Sequence, residues 1–178
     1  MDYPWYSIIK SSKDLQQGDF VYNCPIVVPP NNVKEINVEV EVALIDSIVL
    51  SQSCDLVNSK IDIVLVCPFY TLKTFIDNLP PDQISNKKAK NKIIDNLRKG
   101  NLPGYHLLNK ENSIENLSDY QVVDFKNVYG ISFKSLTSIV EEEERIRLLP
   151  PYREHLSQAF ARYFMRVGLP QDINIEGY

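Results

Sequence analysis

The densest group of chemically capable side chains is Ser51-Gln52-Ser53-Cys54-Asp55, which puts hydroxyls, an amide, a thiol and a carboxylate just past an apolar run. Such a stretch can form a ligand- or RNA-facing loop with a reactive Cys54. It equally suits a capped turn, in which Ser51, Ser53 and Asp55 satisfy backbone N–H groups. A Cys/His/Asp nucleophilic triad would need one of the chain's two histidines, His106 or His155, and neither sits in a recognisable motif. The second group is basic. Residues 71–100 carry seven Lys or Arg, among them Lys87, Lys88, Lys90 and Lys92, against three Asp. That is a net +4 and leaves −8 on the remainder of a chain whose total is −4. A basic helical arm on an acidic body can contact a phosphate backbone, although a lysine run is also how an ordinary solvated helix face is written. No aromatic residue lies within Gln83–Lys99, so that helix would not itself stack bases. HExxH, paired CxxC, EF-hand and phosphate-cradling glycine patterns are all missing, so neither a metal nor a cofactor is expected.

The elements that must position these residues follow from periodicity. The 178 residues suit a single domain, 1–178, with 44% hydrophobic and 24% charged side chains. Gly18-Asp19 opens a strand at Phe20–Tyr22, after which Pro25, Pro29 and Pro30 are expected to break the chain. Val33–Glu41 alternates as a strand with one wet face. Ser47–Leu50 and Ile61–Val66, rich in β-branched residues, read as central strands buried on both faces, with Pro68 stopping the second. Helices are expected at Thr71–Asn78 and Gln83–Lys99, the latter ended by Gly100. Short strands follow at Tyr105–Leu108, Gln121–Phe125 and Val128–Ser132, and Ser135–Ile139 leads to the acidic run Glu141–Glu144. The last helix, Tyr152–Val167, carries an apolar stripe of Leu156, Ala159, Phe160, Tyr163, Phe164 and Val167. Arg153, Arg162 and Arg166 flank that stripe and are expected to cover its rim, pair with acids or face a dimer partner. The fold class is α+β. The three cysteines form no pair pattern, the N-terminus has no signal pattern, and no apolar run approaches the ~20 residues of a membrane helix. A cytoplasmic, non-membrane protein is expected.

In their order these pieces resemble the MazF/PemK/Kid toxin family. The matching steps are Gly18-Asp19-Phe20-Val21, Ile48-Val49-Leu50-Ser51, Leu65-Val66-Cys67-Pro68, Val122-Val123-Asp124 and the helix end Val167-Gly168-Leu169, with 71–100 as an insertion. The resemblance implies a small, SH3-like, strongly bent antiparallel β-barrel with a helical insertion and a C-terminal amphipathic helix. It implies a metal-independent endoribonuclease of the toxin–antitoxin kind acting on single-stranded RNA, a homodimer, and a peptide or antitoxin-like protein as partner. On matching positions the catalytic group would be Thr71, Asp124 and Lys34. Ser51, Gln52, Cys54, Asp55, Tyr70, Tyr105, His106 and the insertion lysines would do the binding. The chain departs from the family pattern in its cations: Tyr22–Leu50 holds no arginine, Lys34 is its one cation, and Val122 stands where some members have arginine.

Two readings follow. One is the endoribonuclease. The other is a catalytically degenerate form of the same barrel that binds protein or nucleic acid, which the missing arginines favour, since cleavage needs charge stabilisation at phosphorus. A third centres on Cys54 as the nucleophile of a small enzyme, which would require a depressed thiol pKa.

Overall fold

The computed structural model describes residues 3–11, 14–28, 40–141 and 144–165. Lys34, Arg166 and the helix end 167–169 lie outside them. Along the chain run β1 (Tyr6–Ile9), β2 (Phe20–Val28), β3 (Glu41–Val49), α1 (Ser53–Val57), β4 (Ile63–Thr71), α2 (Leu72–Asp77) and α3 (Lys87–Arg98). Then come β5 (Tyr105–Leu108), β6 (Gln121–Asp124), β7 (Tyr129–Ser132), α4 (Phe133–Val140), β8 (Arg145–Leu148) and α5 (Tyr152–Phe164). The α+β class holds.

The expected SH3-like barrel does not form. The strands make one six-stranded antiparallel sheet, ordered β2-β3-β4-β6-β5 with β7 also on β4, and a separate β1–β8 pair, neither of them closed. At one end, β8 lies beside the start of β2 without joining its ladder; just before β2, Asp19 bridges to Arg147 and the Gly18 carbonyl accepts from the Leu148 N–H at 2.9 Å. At the other end, β5 pairs with β6 alone, and the insertion packs on a face of these strands, where Ile93, Ile94 and Leu97 of α3 meet Phe75, Ile76, Tyr105, Leu107 and Val122.

Strand β4 joins the two halves of the large sheet. It pairs with β7 over Ile63–Val66, with β3 over Val66–Pro68 and with β6 over Phe69–Thr71. Pro68 therefore does not stop the strand. It sits at the changeover between partners, where its missing N–H removes little from either ladder. Pro25 likewise lies within β2, opposite Leu44, and is accommodated because β2 is an edge strand. Burial of β4 on both faces holds only from Val66 to Phe69, because Ile63 and Leu65 point into solvent. The stretch 135–139 is part of helix α4, and its Leu136 is fully buried.

Helix α5 seals the principal core. Leu156 is fully buried against Phe20, Phe69, Phe125 and Leu148, with Ala159, Phe160 and Tyr163 packed beside it. Phe164 departs from the expected stripe, being 60% exposed. The insertion is stopped and started as its sequence requires. Asn86 Oδ1 accepts from the Ala89 N–H at 2.9 Å to begin α3, and Gly100, at φ +70°, ends it and turns the chain toward β5.

A buried ion cluster ties β8 to the start of β2. Asp19 is fully buried and accepts from Arg145 Nε at 2.7 Å, from Arg147 Nη2 at 2.8 Å, from Arg147 Nε and from the Gln16 N–H at 3.0 Å. The two guanidinium groups also donate to the Asp14 carbonyl, at 2.8 and 2.6 Å.

Candidate functional site

Burying Leu156 fixes which way the rest of α5 points. His155, Gln158 and Arg162, spaced three and four residues apart, share a different, outward face. Opposite that face is the last turn of α3, where Arg98 and Lys99 precede the Gly100 turn into β5. Together Arg98, Lys99, His106, His155, Gln158 and Arg162 line a concavity of about 270 Å³. Its electrostatics are cationic. Arg98 and Lys99 share one carboxylate, Asp95, at 2.9 and 2.5 Å, and Lys99 and then Arg98 hold that carboxyl below its ordinary pKa. Arg162 is exposed and forms no ion pair with a described carboxylate.

His106 enters from β5, with its ring stacked on Phe125 at 6.2 Å. Burial, and then the charges of His155 and Arg162, push its pKa down to about 4. Below about pH 6.5 the unfolded chain binds a proton that the folded chain refuses, so stability present at pH 7 is lost as the pH falls from 6.5 to 4. The loss amounts to about 3 kcal/mol over that window. Urea unfolding of the wild type at pH 7 and near pH 4 should show it, and His106→Gln should remove that share of the pH dependence. An unchanged pH profile in the variant would contradict this assignment.

The concavity continues in both directions along the surface. Gln158 also lines a second hollow, of about 350 Å³, with Gln52, Ser53, Cys54 and the ion pair of Arg153 with Glu154 at 2.9 Å. Tyr105 also lines a third, of about 300 Å³, with Lys126 and Tyr163. There the Lys126 Nζ lies 3.0 Å from the Tyr105 hydroxyl and 4.4 Å from its ring centre, and the hydroxyl contact raises the pKa of the ammonium. The three hollows therefore adjoin through shared residues and bring polar, charged and aromatic groups onto one stretch of surface.

This stretch gathers Gln52, Cys54, Tyr105 and His106 from the residues singled out in the sequence. Other expected site residues are engaged elsewhere. Thr71 is the N-cap of α2, its Oγ1 accepting from the Thr74 N–H at 3.1 Å. Asp124 is buried and accepts from the Tyr70 hydroxyl at 3.3 Å, the Asn127 amide at 2.9 Å and the Lys126 N–H at 2.9 Å. Burial first, and then this carboxylate, drive the Tyr70 pKa upward. Ser51 Oγ accepts from the Leu65 N–H at 2.8 Å. That contact is at the opposite end of β4 from Thr71, about 20 Å of extended strand away. Asp55 sits on α1, 3.7 Å from the Cys54 sulfur. Lys87, Lys88, Lys90 and Lys92 are exposed on the first part of α3, away from the concavity.

Gln158, Arg162, Lys126 and Tyr163 do not stand out in the sequence as site residues. Arg162 and Tyr163 belong to a helix whose clearest signal is its core stripe, and no local pattern brings His155 to His106. No family model matches the chain, and no curated protein matches it. Function is therefore read from geometry. Among the described residues no helix is long and apolar enough to cross a membrane, and no group of three or more His, Cys, Asp or Glu is placed to hold a metal.

Proposed function

We propose that this chain is a binding module for single-stranded RNA. In this reading Arg98, Lys99 and Arg162 hold the phosphate backbone, and Tyr105 and Tyr163 line the neighbouring hollow, where a base takes the place of the Lys126 ammonium over the Tyr105 ring. The observation that carries it is the continuity of the cationic concavity with the aromatic one through Tyr105. Double-stranded nucleic acid has its base faces covered, whereas a single strand presents phosphates and bare bases together, which is what these adjoining hollows suit. The overall charge of −4 does not forbid it, because charges farther than about 8 Å are largely screened at physiological salt and the local cations decide.

Thr71 and Asp124 lend no support to cleavage by the trio with Lys34, since a helix cap uses one and three hydrogen bonds fill the other. Free thiols at Cys24, Cys54 and Cys67 suit a reducing compartment, and we place the activity in the cytoplasm on that ground.

Fluorescence anisotropy with a labelled oligoribonucleotide tests the reading. Three phosphate contacts to a single strand predict that log K falls against log salt with a slope of about −2. Tyr105→Ala should weaken binding by about 1–3 kcal/mol with the slope unchanged. Absence of binding at low salt, or binding indifferent to salt, would refute the module.

A further inference from the structure

We propose that residues 166–178 of this chain fold back along α5 and seat Asp172 and Glu176 against Arg98, Lys99 and Arg162 in the cationic concavity. The docking itself does not depend on the RNA reading above. Its consequence does rest on that reading: the segment and a strand compete for the same cations.

The first support is where the described chain stops. Met165 follows the last residue of α5 and is 77% exposed. With Gln158, Ala161 and Arg162 it lines an open hollow of about 620 Å³ on the outer side of the helix. Their spacing of three and four residues puts these side chains on one face. Gln158 and Arg162 line the cationic concavity as well, so the hollow leads from the helix end into it. Ala161 leaves room for a returning backbone to lie close.

The second support is charge. The lining of the concavity contains no Asp or Glu. Among the described residues Arg98 and Lys99 have one carboxylate, Asp95, between them, and Arg162 forms no ion pair with any. Residues 167–178 carry Asp172 and Glu176 and no lysine or arginine. Segment and cradle are therefore opposite in sign.

The third support is reach. Asp172 lies seven residues past Met165, an extended span of up to about 25 Å, and Glu176 lies eleven past it, up to about 38 Å. The helix from Met165 back to His155 is about 15 Å long, so the chain suffices to retrace it and cross to α3. Leu169, Ile173 and Ile175 supply the apolar cover that Met165 lacks. The result is self-limitation. Two carboxylates hold the cations until a strand charged at every nucleotide replaces them, and apparent affinity is scaled by the fraction of molecules in which the segment is displaced.

Zero-length coupling of the full chain with a water-soluble carbodiimide tests the docking without RNA, because the reagent joins a carboxylate to a lysine only where the two touch. The expected product, mapped by mass spectrometry after proteolysis, joins Lys99 to Asp172 or Glu176 within one molecule. It should persist on dilution and vanish in Lys99→Arg. Coupling of Asp95 to Lys99, in contact at 2.5 Å, shows that the reagent reaches the site. If that product forms while neither Asp172 nor Glu176 is joined to Lys99, the docking is overturned. A product joining two chains gives the surface to a second copy and overturns it likewise. Anisotropy reads the competition: Asp172→Asn with Glu176→Gln should tighten binding of the labelled oligoribonucleotide at least about threefold. Wild-type affinity in that variant overturns the competition and leaves the binding module standing. If neither protein binds a strand, the RNA reading falls, and the coupling alone decides the docking.

Discussion

Asp19→Ala should lower the stability of the chain by about 3–5 kcal/mol, as removal of one partner from a buried ion cluster does. That is a large share of the ~5–15 kcal/mol that holds a typical domain folded. The side chain has no access to water, and two guanidinium groups converge on it from β8. Alanine removes the carboxylate on which both guanidinium groups converge in a dry site, and the Asp14 carbonyl they share cannot replace it. The effect is also topological, because the Asp19–Arg147 bridge joins the β1–β8 pair to the large sheet. Urea unfolding measures the loss. Replacing all three charges together, as Asp19→Leu with Arg145→Met and Arg147→Met, should recover much of it, since the cost lies in the uncompensated charge rather than in the absence of the ion pairs. An Asp19→Ala protein within about 1 kcal/mol of wild type would mean that the cluster does not hold the ribbon in place.

The second large effect concerns the cationic concavity. The triple reversal Arg98→Glu, Lys99→Glu and Arg162→Glu should reduce affinity for an oligoribonucleotide at least about 100-fold at low salt and flatten the salt dependence. Each lost cation costs about 1 kcal/mol at a phosphate, about 3 kcal/mol and so about 100-fold together, and each new carboxylate adds repulsion to that. All three side chains are exposed, so the fold should survive. The informative comparison is a matched reversal at Lys87, Lys88 and Lys90. Those lysines form the more obvious basic run but lie on the exposed first part of α3, so they should matter less. An equal loss from both reversals would show that charge alone, and not this concavity, governs binding. Affinity left intact by the first reversal would dispose of the site.

The elements that are plain in the sequence are those whose signals are local. The apolar spacing around Leu156, the Gly100 stop and the β-branched runs at Ile48 and Val64 are written within a few residues, and helix or strand forms there. Elements fixed by distant partners are hidden. Arg145-Ile146-Arg147-Leu148 carries two arginines in four residues, and its burial as a strand goes with Asp19, 126 positions before Arg145, accepting from both. Phe133–Val140 carries β-branched residues that argue against helix, yet burial of Leu136 and Val140 on one face decides for it. Pro25 and Pro68 announce breaks that edge position and a change of partner make tolerable. The barrel fails for the same kind of reason: nothing local says that the two end strands, β2 and β5, do not pair with each other. The site shares this character. Cys54 and Gln52 attract notice by clustering, and His106 only by rarity. Arg162 is assigned to the rim of a core helix until the fold sets it against α3.

The insertion's private cluster of Phe75, Ile76 and Leu97 has an implication for how the molecule senses its ligand. These side chains form a hydrophobic unit apart from the two larger cores, anchored to the sheet mainly through Val122, Tyr105 and Leu107. A unit of that kind can swing open while the remainder stays folded. Arg98 and Lys99 stand on it and Arg162 does not, so loosening this cluster would separate the two sides of the cationic concavity. Apparent affinity would then be the intrinsic affinity scaled by the fraction of molecules in which the two sides are together. A substitution at Phe75, remote from any phosphate, would weaken ligand capture in that proportion.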